Sequence, residues 1–336
     1  MFLILAVTNG LEWAAPTVPS EAQEWMPRDT ETFLDGLMEI LGKVIPKIYP
    51  ALTEVSGVCA ALLGIALLVS LVSNLHGPSA RSADLTGTVA VGLILLRATG
   101  SLIALGADTV VRISDYGKLL LPVMAAAMAG SGGVNGSAAL YLGTAFFDSV
   151  LTAVATALLI PMVYVFLALA VVNSALGENL LKQLKDFVKW LMTWTLKITL
   201  YIFTGYMGIT GVISGSADAA ALKAAKLTIS GIVPVVGGIL SDASEAVLVS
   251  ADLVRNAAGI YGLLAVIALW VGPFLQIGVQ YLMLKITSGI CGIFGTKAMT
   301  GLIGDFTTAM GLLLAITAAM CLIFMISTVC FMKGVG

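Results

Sequence analysis

Residues 149–172, 257–284 and 306–331 carry no Asp, Glu, Lys or Arg. A helix of about 20 apolar residues covers the hydrocarbon core of a bilayer, and it satisfies its backbone groups internally where no water can. Residues 57–75, 85–107 and 191–213 add three further spans, two of them holding a single basic residue, Arg97 and Lys197. The chain around them is 59% apolar and 11% charged, with a mean hydropathy of +1.03, outside the range of soluble globular proteins. The expected fold class is an all-α polytopic membrane protein with six to eight transmembrane segments.

The range of six to eight comes from two interrupted stretches. Residues 119–129 are apolar and contain Pro122, but as a helix they are only about 16 Å long. Gly130, Gly132, Gly133 and Gly136 then break the run, and residues 138–147 resume it up to Asp148. In the second half, Pro234 with Gly237 and Gly238 interrupts the apolar stretch ahead of the 257–284 span. Each stretch reads as a broken re-entrant hairpin beside a full span, or as one kinked helix. Pro122 and Pro161 are 39 positions apart, as are Pro234 and Pro273, and the pairs superpose at an offset of 112. This spacing suggests an internal repeat of 85–173 and 197–285, a plan used to line a site between two halves; the alternative is that each proline kinks its own helix.

Three regions follow along the chain. Residues 1–20 are signal-like, or simply an apolar amino terminus. Residues 21–56 are polar, with Phe33, Leu34, Leu37, Met38, Ile40, Leu41, Val44 and Ile45 at helical spacing, an amphipathic helix for a membrane surface, a partner or the protein's own bundle. Residues 57–333 form the membrane helical domain. Within it 178–190 reads as an interfacial helix with Leu181, Leu184, Val188 and Leu191 on one face; Lys182, Lys185 and Lys189 mark the cytoplasmic side. That assignment brings both hairpins in from the outside.

Arg97 stands near the centre of its span. A charge there is expensive against lipid and should face the bundle interior, a wet cavity or a carboxylate, with Asp108 and Asp115 the nearest in sequence. Arg97, Pro122, Gly132, Gly133, Pro234, Gly237, Gly238 and Pro273 are therefore the candidate residues for a polar path or its hairpins. Catalytic signals are lacking: the chain has no HExxH and no GxSxG, and its single histidine, His76, has no companion. The isolated Cys59, Cys291, Cys321 and Cys330 have no metal-ligand spacing, so neither a cofactor nor a metal is expected. A net charge of -2 without a basic patch gives no reason to invoke nucleic acid.

A series of short motifs carries a family resemblance. Phe203-Thr204-Gly205-Tyr206, Ala225-Lys226, Val233-Pro234-Val235-Val236-Gly237-Gly238, Leu240-Ser241 and Asn256-Ala257-Ala258-Gly259 together resemble stage III sporulation protein AE of endospore-forming bacteria. The resemblance implies a multi-pass protein of the mother-cell membrane surrounding the forespore. Its partners would be other products of the same sporulation operon and a forespore membrane protein, besides membrane lipid and further copies of itself. On this reading the chain is a non-enzymatic subunit of a channel or secretion-like complex that forms or braces a conduit. The alternative is a secondary transporter or permease for a small solute or ion.

Overall fold

The uncharged runs 149–172, 257–284 and 306–331 are helical in the structure, and the helices that carry them continue past the runs. The computed structural model describes residues 16–27, 32–73, 78–131, 134–176, 179–232 and 237–333; of these, 73, 78–81, 135, 179–180 and 210–254 are described by backbone alone. The elements are α1 (Ser20–Gln23), α2 (Phe33–Ser73), α3 (Pro78–Gly130), α4 (Val134–Val154), a π-helical turn (Ala155–Leu159), α5 (Ile160–Leu176), α6 (Asn179–Ile232), α7 (Gly237–Phe294) and α8 (Lys297–Lys333). The described residues contain no strand.

Among the described residues, five helices are long and apolar enough to cross a membrane: Phe33–Val72, Ser82–Gly130, Gly136–Leu176, Arg255–Phe294 and Lys297–Lys333. The span expected at 191–213 lies on α6, and its end falls among residues described by backbone alone. At 53 residues α3 is about 80 Å long, more than twice the hydrocarbon thickness.

This continuity corrects two expectations. Residues 119–129 and 138–147 are not isolated half-helices. The first is the distal end of α3, which passes through Pro122 to Gly130, and the second is the start of a rod running through Asp148 and the π turn into α5. Pro122 is exposed, so the carbonyl it leaves unbonded inside α3 is not forced into the core. Asp148 does not end a segment, because Ser114 hydrogen-bonds it inside the bundle at 2.9 Å. The break of the other expected hairpin, 233–236 with Pro234, lies outside the described residues; Gly237 and Gly238 open α7. Shifted by 112 positions, Gly130 falls on Asp242, inside α7 rather than at its start. The second correction concerns 178–190, whose described part, 179–190, is the beginning of α6 and not a separate interfacial helix. Its buried stripe runs through Lys185, Val188, Met192 and Leu196, while Leu184 points outward.

Local chemistry sets the helix starts. The Thr32 hydroxyl accepts from the Asp35 N–H at 3.2 Å and donates to the Asp35 carboxylate at 2.6 Å, capping α2. Thr296 caps α8, its hydroxyl accepting from the Met299 N–H at 3.4 Å.

Helix α8 is the axis of the bundle, burying Phe306, Met310, Leu313, Met320, Phe324 and Phe331. Antiparallel to it, α7 places Gly259 against Met332, Trp270 Nε1 at 3.2 Å from the Thr317 hydroxyl, and Tyr281 against Gly311. Parallel to it runs α3, where Gly87 meets Met299, Gly106 meets Leu313 and Gly117 meets the Phe324 ring. Those glycines let the helix axes approach, because a Cβ at 106 or 117 would overlap the side chain opposite. Helix α2 closes the other side, with Gly36 against Leu264 of α7 and Val69 against Gly87 of α3.

Candidate functional site

These contacts fix which residues share a depth in the bundle. Since α3 runs beside α8 from Gly106–Leu313 to Gly117–Phe324, its charged series Asp108, Arg112, Asp115 and Lys118 lies alongside the uncharged middle of α8. Charges at that depth need a polar surrounding, and α1 with the first half of α2 supplies one. Arg112 pairs with Glu21 and with Asp108, both at 2.5 Å. Lys47 pairs with Glu24 and sits 4.8 Å from the centre of the Trp25 ring. The Lys43 ammonium donates to the Met26 carbonyl at 2.6 Å. Trp25, 7% exposed, packs on Gly272, where a Cβ would meet its Nε1 at 3.1 Å. The guanidinium of Arg112, which donates a hydrogen bond to Glu21, holds the Glu21 carboxyl below the usual carboxylate range.

Under this cap lies a cavity of about 830 Å³ lined by Glu21, Trp25, Lys47, Arg112, Pro273 and Gln276 among others. A second cavity of about 540 Å³ adjoins it and shares Ala51, Glu54 and Gln276 as walls. The second is framed by Glu54 of α2, Arg97 and Ser101 of α3, and Gln276 and Gln280 of α7. Together they form one polar cleft between α2, α3 and α7. Arg97 and Ser101 are four residues apart on α3, as are Gln276 and Gln280 on α7, so each pair shares one helix face.

The surroundings of Arg97 differ from the sequence expectation. Asp108 is held by Arg112 and Asp115 by Lys118 at 2.8 Å, so neither reaches it. Arg97 makes no ion pair with any described residue, and neither does Glu54. Arg97 stands between the uncharged runs 85–96 and 98–107 of α3, and Glu54 is the last charge before the uncharged run 55–73 of α2. Lys285 follows the uncharged run 256–284 of α7, and Asp305 precedes the uncharged run 306–332 of α8. Gly92 meets Leu302 and Gly106 meets Leu313, so Arg97 falls between them on the α8 scale, beside Asp305 and Lys285. At this level the uncharged runs 55–73 of α2 and 85–96 of α3 extend toward Met299 of α8, and those of α7 and α8 extend the opposite way, toward Met332. At the same level Lys185 of α6 donates to Asp305 at 2.6 Å, both largely buried.

Of the other candidates, Pro273 lines the larger cavity while Pro122 lies exposed on α3, outside the cleft. Gly237 and Gly238 are in the first turn of α7, and Gly132, Gly133 and Pro234 lie outside the described residues. Glu54, Gln276, Gln280, Trp25 and Arg112 complete the site without having been singled out from sequence. Gln276 and Gln280 left a signal, as amides four apart in an otherwise apolar span. No group of three or more His, Cys, Asp or Glu able to hold a metal occurs among the described residues.

An all-α bundle of membrane-crossing helices around a polar cleft defines a polytopic membrane protein. The chain belongs to the stage III sporulation protein AE family, whose model matches residues 29–334. It is 22% identical over 213 residues to stage III sporulation protein AE of Bacillus subtilis (strain 168), an alignment covering 63% of this chain and 53% of that relative. The chain thus spans about half the length of the curated relative it matches. No solved structure matches it.

Proposed function

We propose that this multi-pass protein is a non-enzymatic subunit of a sporulation channel or secretion-like complex between mother cell and forespore, where it forms or braces a conduit. The cleft carries the reading: Glu54, Arg97, Arg112, Gln276 and Gln280 line it with polar groups from three membrane-crossing helices. A chain folded only to fill a bilayer has no use for such a face. The setting implied by the family is the mother-cell membrane around the forespore. Its partners are the other products of the same operon, a forespore membrane protein and further copies of the chain.

The test is co-purification of the full-length chain with each operon product, followed by particle imaging of the complex. A ring or complex whose wet path is bounded by α2, α3 and α7 is the expected result. A chain that stays monomeric and retains none of those products overturns the reading. The second reading, a secondary transporter or permease for a small solute or ion, is favoured by the unpaired Arg97 facing an open cavity. Solute uptake by the purified chain alone in liposomes, lost in Arg97→Ala, would establish it.

A further inference from the structure

Helix α2 is packed at both ends and open in the middle. Gly36 lies against Leu264, Ile40 is buried, and Cys59, Leu62, Ala66 and Val69 are buried again farther on. Between Ile40 and Cys59 no residue of α2 is buried, and both cavities of the cleft lie along this stretch. Lys47 and Pro50 line the larger, Val55 and Val58 the smaller, and Glu54 faces both. The helix is also weakest here. Pro46 has no N–H for the Gly42 carbonyl and Pro50 none for the Pro46 carbonyl, so two ladder bonds are missing one turn apart. The Thr53 hydroxyl donates to the Pro50 carbonyl at 2.7 Å, a back-bond that favours bending. Three groups on the walls of the smaller cavity want one another. The Nε2 amide of Gln280, in a side chain 3% exposed, has no hydrogen-bond partner. Arg97 and Glu54 make no ion pair with any described residue. They face the cavity from three helices, Glu54 from α2, Arg97 from α3 and Gln280 from α7. A carboxylate is the acceptor that a guanidinium and an orphaned amide N–H both lack, and Glu54 is a carboxylate on the movable wall.

We propose that the open stretch of α2 is a gate: it bows inward about Pro46 and Pro50, seats the Glu54 carboxylate on the Arg97 guanidinium and the Gln280 amide, and closes the smaller cavity. Both charges are exposed when the gate is open, which keeps the open state accessible. As a gate it rests on the conduit reading for what it would shut; the bowing itself is measured on the chain alone, so the two can fail separately. The test uses the full-length protein in nanodiscs, with spin labels on genetically encoded keto amino acids at the exposed Tyr49 of α2 and Leu322 of α8. Pulsed dipolar spectroscopy reads the distance between them. Two distances are expected, the shorter one belonging to the closed gate. Its population should fall roughly tenfold in Arg97→Glu, where closing would bring like charges together. The swap of Arg97→Glu with Glu54→Arg should bring it back, which a merely local disturbance at either position would not do. Glu54→Gln, at an exposed position outside the core, should lose the shorter distance too and keeps the test sharp if Arg97→Glu does not fold. Pro46→Ala with Pro50→Ala should straighten α2 and favour the longer distance. A distance distribution that Arg97→Glu and Glu54→Gln leave unchanged overturns the proposal. So does a charge swap that fails to restore the shorter distance.

Discussion

Helices α7 and α8 on one side, and α2 and α3 on the other, are antiparallel neighbours of similar hydropathy with opposite fates. The most apolar windows of α7 and α8 are 61% and 56% buried, those of α2 and α3 only 22% and 33%. Apolar content therefore does not decide which helices make the core. The α7–α8 pair is closed by small residues meeting large ones, Gly259 on Met332 and Gly311 on Tyr281. Hydroxyls inside α8 are satisfied locally: Thr307 donates to the Ile303 carbonyl and Thr328 to the Phe324 carbonyl. The α2–α3 pair has its own small-on-large contact, Gly87 on Val69, but turns charges toward the cleft. One pair is an axis; the other is a wall with a polar lining.

The comparison can be broken first at the Lys185–Asp305 pair that ties α6 to the axis. Lys185→Ala leaves a largely buried carboxylate alone and should cost about 3 kcal/mol in thermal or denaturant unfolding, whereas Lys185→Met with Asp305→Leu should recover most of it. A variant as stable as the wild type would remove α6 from the core. Next, Gly117→Ala drives a methyl into the Phe324 ring and should lower stability by about 2 kcal/mol. The same change at Gly64, where nothing lies within reach, should stabilise by about 0.5 kcal/mol through helix propensity. Equal effects at 117 and 64 would erase the distinction between the face of the wall packed on α8 and its open face. Thr144→Val strips the Ser327 hydroxyl of its buried partner at 2.9 Å and should cost about 1 kcal/mol by the same measurement.

The smallest effect sharpens the wall. The Glu21 carboxyl titrates below the ordinary Glu range because Arg112 donates a hydrogen bond to it. Its contribution to docking α1 is therefore complete above the unfolded value and lost as pH falls through the lowered folded one. Hydrogen exchange in peptides covering 16–27 should quicken on acidification while peptides of α8 stay protected. Arg112→Gln should shift that acid transition up toward the ordinary range. Exchange in 16–27 that ignores pH would mean that Trp25, rather than the ion pair, holds α1 in place.

Much of the bundle was legible because uncharged runs leave few alternatives to helix. The break after Gly130 was visible from its glycines. What sequence misjudged were places where a charge looked like punctuation. Asp148 was read as ending a half-helix, although Ser114, 34 positions earlier, buries it. Lys185 was assigned to a solvated face, and its partner lies 120 positions away. Arg97 has Asp108 and Asp115 nearest in sequence, yet these pair with Arg112 and Lys118 instead. The first two errors concern long-range pairings that no local window contains. The cleft was foreshadowed only by Arg97 and by the two glutamines of α7, and its cap, from Glu21 to Trp25, lies in a stretch whose periodicity says nothing about where it docks.

The π turn at Ala155–Leu159 has a consequence for how this rod tolerates change. Just beyond it Pro161 has no N–H to give the carbonyl of Ala157, so the wide turn falls where the ladder is already broken. The buried stripe above it passes through Thr144, Asp148, Leu151 and Ala155, and the stripe below through Leu159, Val163, Phe166 and Ala170. A regular helix of 3.6 residues per turn would drift out of line over that distance; the surplus residue brings the lower stripe back under the upper one. The turn thus acts as a vernier between two stretches of helix, and removing one residue from it would convert it to ordinary helix while leaving both stripes in register with α8. At that point, unlike any other along the rod, the chain's length and the fold's geometry are uncoupled.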